Sequence, residues 1–193
     1  ITFDKTGEYL AVGDRGGRVI IFKHLELKNS RYFDYRYFAE IQSHEPEFDH
    51  LKSVELCERI NAMDFLHVNK NGSFQLLSTN DRIIKLWRLK NKQRKEIQRP
   101  KVEKGNLVLP KNKLISQGYE GDERRRFQHC HNYNVNCLST SPDGENFISA
   151  DDLCINMWNL DNNITAFNMV NLQPSSLEEL QEIITHVEFH PRR

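Results

Sequence analysis

The chain has 193 residues, with 27 basic and 27 acidic side chains for a formal net charge of zero, and 38% of its residues are hydrophobic. That composition supplies a modest core for one or two domains and gives the chain as a whole no polyelectrolyte character. No run of about 18 apolar residues occurs, so no stretch reads as a membrane-spanning helix.

The first residues, ITFDKTGEYLAVGD, lack the basic start, apolar middle and small-residue cleavage site of a secretory signal. They carry no initiator Met and begin inside an alternating pattern, and the chain stops abruptly at EFHPRR, so it reads as an excerpt of a longer protein. From Phe3 to Phe22 the sequence gives a turn ending in Gly7, a short apolar strand, a tight polar turn and an alternating strand. GDRGGR, residues 13–18, looks like a metallophosphatase or phosphate-loop motif but lacks the second Asp and the following Lys-Ser/Thr. It sits between two strands, where Gly16-Gly17 is expected to supply a hairpin turn with positive φ.

Next comes QSHEPEFDHLKS, residues 42–53, with His44, His50, Glu45, Glu47 and Asp49 within a dozen positions. Its residue types suit a metal site, an acid–base centre or a polar recognition loop. Residues 65–87, FLHVNKNGSFQLLSTNDRIIKLW, then repeat the first pattern, and residues 138–158, LSTSPDGENFISADDLCINMW, repeat it again. From the turn Gly (Gly7, Gly72, Gly144) to the closing aromatic (Phe22, Trp87, Trp158) the count is 15, 15 and 14 residues. IIKLW and CINMW alternate with period two, as strands half-buried or sandwiched between sheets do. A fourth copy is expected to start at 184–191, ITHVEFHP.

Between the second and third copies lies a basic insertion, residues 90–127, too long for an ordinary connection. Residues 88–126 hold thirteen basic and five acidic side chains, whereas 127–191 hold nine acidic ones and neither Lys nor Arg. Residues 40–58 carry six acids against Lys52 alone. Zones of this kind steer oppositely charged partners to one face. The insertion admits three readings: a solvated arm, a docking element (with NLVLP, residues 106–110, as a short strand), or a nucleic-acid contact. Only Tyr119 and Phe127 are available for stacking, which disfavours the last. The four cysteines, Cys57, Cys130, Cys137 and Cys154, form no C-x-x-C pair. They imply a reducing compartment, hence a cytoplasmic protein, with the nucleus also open. HCH at 129–131 is not expected to bind metal, because neighbours on a strand point to opposite faces and no fourth ligand is spaced correctly. SSLEELQEII, residues 175–184, reads as a short helix, with a Ser cap, Glu178 and Glu179 in the first turn, and Leu177, Leu180 and Ile184 on one face beside Ile183.

The three copies resemble the WD repeat, the unit of a β-propeller blade. The resemblance implies an all-β fold and, in the third copy, a hydrogen-bonded set of His131, Ser149, Asp152 and Trp158. The second copy keeps Asp81 and Trp87 without the His; the first has Phe22 for the Trp and Gly16 for the turn Asp. Three blades and the start of a fourth make an open piece with two sheet faces lacking partners, which is expected to be poorly stable alone.

SHEPEFD, together with LSTNDRIIKLW, ISADDLCINMW and LQPSSLEELQEIITHVEFHP, is similar to the WD-repeat B regulatory subunit of type 2A protein serine/threonine phosphatase. That resemblance implies that residues 1–193 are part of one seven-bladed propeller, non-catalytic and needing no cofactor or metal. The implied partners are a helical-repeat scaffold (A) subunit, contacted by the 90–127 arm, the catalytic (C) subunit, and phosphoprotein substrates with basic flanks; neither membrane nor nucleic acid is among them. Positions matching the family's acidic top groove are Ser53, Glu55, Tyr133, Asp152, Leu177, Leu180 and Ile183. Cys154 stands where many members have Arg. The acids of 42–53 then belong to a top rim, with His44 and Pro46 shaping the loop and Phe48 and Leu51 anchoring it in the blade edge. The alternatives are a general WD-repeat adaptor, such as a ubiquitin-ligase substrate receptor, and a nucleic-acid-binding propeller using the arm.

Overall fold

The computed structural model describes residues 1–25, 34–68, 74–98, 111–161 and 165–191. Three four-stranded antiparallel sheets follow one another along the chain. The first contains β1 (Thr2–Phe3), β2 (Tyr9–Gly13), β3 (Arg18–Leu25) and β4 (Asp34–Gln42) in that spatial order. A separate small hairpin, β5 (Glu47–Asp49) and β6 (Val54–Leu56), comes next. The second sheet contains β7 (Ala62–Val68), β8 (Phe74–Thr79), β9 (Ile84–Gln98) and β10 (Lys111–Phe127). The third contains β11 (Cys137–Thr140), β12 (Asn146–Ala150), β13 (Cys154–Asn159) and β14 (Phe167–Asn171). Four strands in sequential order, three times over, are three blades of a WD-repeat β-propeller.

The period-two pattern explains why the blades stack. On the second blade, Phe74, Leu76, Trp87 and Leu89 join Tyr9, Ala11, Val19, Ile21 and Ile41 of the first in one buried cluster. Leu77, Ile84, Leu86 and Phe127 point the other way and pack with Phe147 and Trp158 of the third. Phe147 and Trp158 stack with ring centres 5.9 Å apart, and Phe127 meets Trp158 edge-on at 5.3 Å. Each buried face is worth roughly 25 cal/mol per Å² of apolar surface removed from water, so the middle blade, covered on both sides, holds the three together. Inner strands also meet directly: the Thr140 amide donates to Asp64 Oδ2 at 2.7 Å, and the Thr140 hydroxyl to the Phe65 carbonyl at 3.2 Å. Burial raises the Asp64 carboxyl above its ordinary pKa, against the lowering effect of the Thr140 bonds.

Two expectations change. The helix over 175–184 is a single 3-10 turn, Leu177–Glu179. Ser176 accepts the Glu179 amide and caps the Glu178 amide, but Ile183, Ile184 and Thr185 are β-branched and continue a helix poorly. The Ile184 amide is instead taken by the Asp152 carbonyl at 2.8 Å. Residues 184–191 form no strand; they lie beside β11, with the Phe189 amide on Ser139 Oγ at 2.9 Å and Cys137 Sγ 3.5 Å from the Thr185 carbonyl. Among the described residues no later strand pairs with them. NLVLP falls outside the described residues.

Candidate functional site: a rim of turns at one end of the blades

Strand order puts every β2–β3-type turn and every inter-blade segment at one end of the sheets. The Gly17 carbonyl accepts the amides of Ser43 and His44 at 2.8 and 3.0 Å, and the Asp14 carbonyl accepts Ile60 at 3.1 Å. Asp81 accepts Val135 through its carbonyl at 2.8 Å, and Asp152 accepts Ile184. Each blade's turn is therefore sewn to the linker that follows or precedes it. Gly17, at φ 76°, is the glycine that geometry demands, because a Cβ there would collide with the His44 carbonyl oxygen. Gly16 has no positive φ, so one glycine suffices where a pair was expected.

The buried polar set of the third blade is His131, Ser149, Asp151 and Trp158. Trp158 Nε1 donates to Ser149 Oγ at 2.7 Å, Ser149 Oγ lies 2.7 Å from His131 Nε2, and His131 Nδ1 lies 2.8 Å from Asp151 Oδ2. Asp151 Oδ1 also accepts the amides of Leu153 and Cys154. Burial would raise the Asp151 carboxyl, but these bonds hold it below the usual carboxylate range. The expectation of Asp152 in this set is thus corrected by one position. Asp152 points outward and accepts Asn136 Nδ2 at 2.7 Å. In the first blade the equivalent acid is Asp14, which accepts the Arg18 amide at 2.9 Å, so the turn Asp is not replaced there by Gly16. In the second it is Asn80, accepting the Arg82 and Ile83 amides.

The second blade's missing His is replaced from an unexpected place. Ser43 Oγ accepts Trp87 Nε1 at 2.8 Å and shares a 2.6 Å bond with Ser78 Oγ. His44, almost wholly buried, sets Nε2 3.1 Å from the Ile83 carbonyl. Burial first, then the nearby positive charges of Lys85 and Arg126, push His44 down to about 3, so its ring is neutral. Ser43 stands 44 positions before Trp87, whereas His131 stands 27 before Trp158. The β5–β6 hairpin, inserted between Ser43 and β7, makes up most of the difference, and a longer β7–β8 hairpin the rest.

That hairpin is where 42–53 goes. Glu47 is bound by Arg126 Nη1 at 3.0 and 3.2 Å, and Arg126 Nε also holds Glu123 at 3.1 Å. Asp49 Oδ1 caps the amides of Leu51 and Lys52. Lys52 Nζ reaches across to the His131 carbonyl at 2.9 Å and Asn132 Oδ1 at 3.0 Å. Two of the acids are therefore committed to holding the hairpin. Phe48 and Leu51 expose 50% and 80% of their surfaces, so they do not anchor it in the blade edge; Leu56 does, at 5%. His129 and Cys130 are exposed and His131 is buried, in a segment that is not a strand.

The structure puts the sequence-selected residues on this rim. Ser53, at φ 52°, and Glu55 are exposed on the hairpin. Tyr133 is half-buried next to Asn132, which Lys52 holds. Asp152 and Ile183 are linked through the Ile184 amide, and Leu180 and Ile183 expose 37% and 59%. The side chain of Leu177 is outside the described residues. Cys154 is half-buried, its Sγ 3.5 Å from Asn171 Oδ1, and burial, with Asp151 nearby, raises its thiol pKa. At the opposite end, β9 and β10 run beyond the blade as a two-stranded arm, with Lys90 on Asp122 at 2.8 Å and Lys92 on Glu120 at 2.6 Å. Among the described residues no group of three or more His, Cys, Asp or Glu side chains converges as a metal site would, and no helix is long and apolar enough to cross a membrane.

Residues 122–159 match the family model described as WD domain, G-beta repeat. The chain is 42% identical over 207 residues to a Schizosaccharomyces pombe protein named as a B-type regulatory subunit of protein phosphatase PP2A, and 40% identical over 202 residues to its Candida tropicalis namesake. It is 41% identical over 206 residues to the Caenorhabditis elegans serine/threonine-protein phosphatase 2A regulatory subunit sur-6. These alignments cover 99% of this chain but 43%, 40% and 41% of the relatives, so the chain spans less than half their length. Among solved structures, the Myceliophteria thermophila Cps50 (Swd1) beta-propeller domain is similar over 100% of this chain and 44% of its own, at a TM-score of 0.44 and 18% identity. The likeness drawn from SHEPEFD and the blade motifs holds along nearly the whole chain.

Proposed function

We propose that this chain, a piece of a WD-repeat propeller related to the B-type regulatory subunits of PP2A, belongs to a non-catalytic subunit that directs a type 2A serine/threonine phosphatase to its substrates. The observation that carries the reading is the 40–42% identity to proteins named as such subunits over 99% of the chain. In this reading the rim of Ser53, Glu55, Tyr133, Asp152, Leu177, Leu180 and Ile183 is the substrate groove. Its charge supports this: Asp152 in the turn and Glu178, Glu179 and Glu182 in the inter-blade segment lie at this end, in a stretch, residues 127–191, that has no Lys or Arg, which suits substrates with basic flanks. The arm of β9 and β10, at the other end, is the scaffold contact, and the assembly is a cytoplasmic heterotrimer with scaffold and catalytic subunits. Rim and arm at opposite ends let substrate and scaffold bind together.

The test is a pull-down with the full-length protein. Scaffold and catalytic phosphatase subunits should be recovered together; a pull-down returning neither would leave a general WD-repeat adaptor as the reading. Asp152→Lys and Leu180→Ala should keep that assembly and lower dephosphorylation of basic-flanked phosphosites by about fivefold or more, since a reversed rim charge repels what it attracted. Asp152 lies outside the His131 set, so its replacement does not dismantle the blade.

A further inference from the structure

Beneath the β5–β6 hairpin, on the rim, is a cleft of about 180 Å³. Its buried lining is Leu56 and Ile83 with His131, its exposed apolar lining is Phe48 and Leu51, and His50, Gln128 and His129 complete its polar edge. That is the size of one large side chain: a cavity of about 150 Å³ holds a benzene ring. The charges around it are unevenly spent. Glu47 is neutralised by Arg126, Asp49 caps two amides, and Lys52 is held by two oxygens of 131–132. Arg82 is different: it is half-buried at the cleft wall, and its guanidinium has no hydrogen bond or ion pair among the described residues. A half-desolvated guanidinium with five unused donors is a ready partner for a carboxylate. Of the two non-glycine residues with positive φ among those described, His129 lines the cleft and Ser53 directly follows its lining residue Lys52, and such backbone conformations gather at binding sites.

We propose that this cleft is a second recognition pocket, which takes one aromatic or branched apolar side chain of a bound peptide and pairs the acidic residue beside it with Arg82. It deepens the reading of the rim as a substrate surface and rests on that reading. It adds a preference opposite in sign to that of the acidic zone: a target would carry basic residues toward Asp152 and an apolar–acidic pair toward Arg82.

The experiment uses the full-length protein without phosphatase subunits, so it does not depend on assembly. Isotope-labelled protein is titrated with acetyl-phenylalanyl-glutamate amide and with acetyl-phenylalanyl-lysine amide, following the Arg82 Nε–H and the Leu51 and Leu56 methyl signals. The glutamate probe should move all three and bind about fivefold more tightly than the lysine probe, the scale of one partly exposed ion pair. Arg82→Gln should erase the preference and Arg82→Glu should reverse it, with near-UV circular dichroism unchanged in both. Leu51→Ala should weaken both probes alike. Equal affinity for the two probes, shifts confined to other residues, a preference that survives Arg82→Gln, or no binding at the solubility limit would overturn the proposal. If the probes bind as expected while the pull-down fails, the pocket stands and the phosphatase reading falls.

Discussion

At the scale of single residues, two adjacent aspartates have opposite jobs. Asp151 is buried and accepts three hydrogen bonds, from His131 and from the Leu153 and Cys154 amides. Asp151→Ala should destabilise the protein by about 2–4 kcal/mol, because it strands buried donors, whereas Asp152→Ala should change stability by less than about 0.5 kcal/mol. Urea unfolding of the two variants checks this. The aspartate pair was legible as a turn, but which of the two faces inward was not; that depends on where the β-bridge ends, and Ala150 is the last residue of β12 to pair with β13. His44 gives a pH signature. Its folded pKa of about 3 lies below the ordinary 6.5, so the unfolded chain binds the proton more readily. The stability tied to the neutral ring is complete above pH 6.5 and is lost as pH falls toward 3, by about 1.4 kcal/mol per pH unit. His44→Gln should flatten that part of the profile; an unchanged slope between about pH 6 and 4 would show that other groups carry it.

At the scale of elements, the arm is not separable where the charge pattern begins and ends. Glu120 to Phe127 of β10 pair with Ile84 to Lys90 of β9 and complete the second blade. Gly121 lets β10 pass close to Ile41 and Trp87, and Tyr119 stacks on Phe38 with centres 3.9 Å apart. Replacing residues 92–118 by a two-residue Asn-Gly turn should therefore keep the blade folded, with the same urea midpoint within error, while weakening scaffold binding of the full-length protein. Undiminished assembly would remove the arm from the docking surface. The blades were legible in the sequence because period-two alternation and a turn glycine at constant spacing are local signals. The 3-10 turn and the Ser43 substitution were not. The first is decided by β-branched residues that outweigh cap and first-turn signals, and the second by a contact across an insertion of variable length.

At the scale of the molecule, the excess of positive charge in 88–126 and the absence of Lys and Arg from 127–191 make a field longer-ranged than any one ion pair. Association of a basic phosphopeptide with the full-length protein should slow about tenfold as ionic strength rises from about 0.02 to 0.2 M, since the screening length then falls below the width of the rim. Stopped-flow measurement would show it, and a rate indifferent to salt would exclude steering. The hairpin on that rim has a further consequence. Its entrance is fixed by the Gly17 carbonyl holding Ser43 and His44, and its exit by Asn80 and Asp81 holding Cys57. A segment clamped at both ends is exchangeable: doubling its length adds only about 0.6 kcal/mol of closure entropy. The blades thus carry a cassette, whose length and exposed positions can vary between relatives without the blades having to repack, provided the contacts of Glu47, Lys52 and Leu56 are kept.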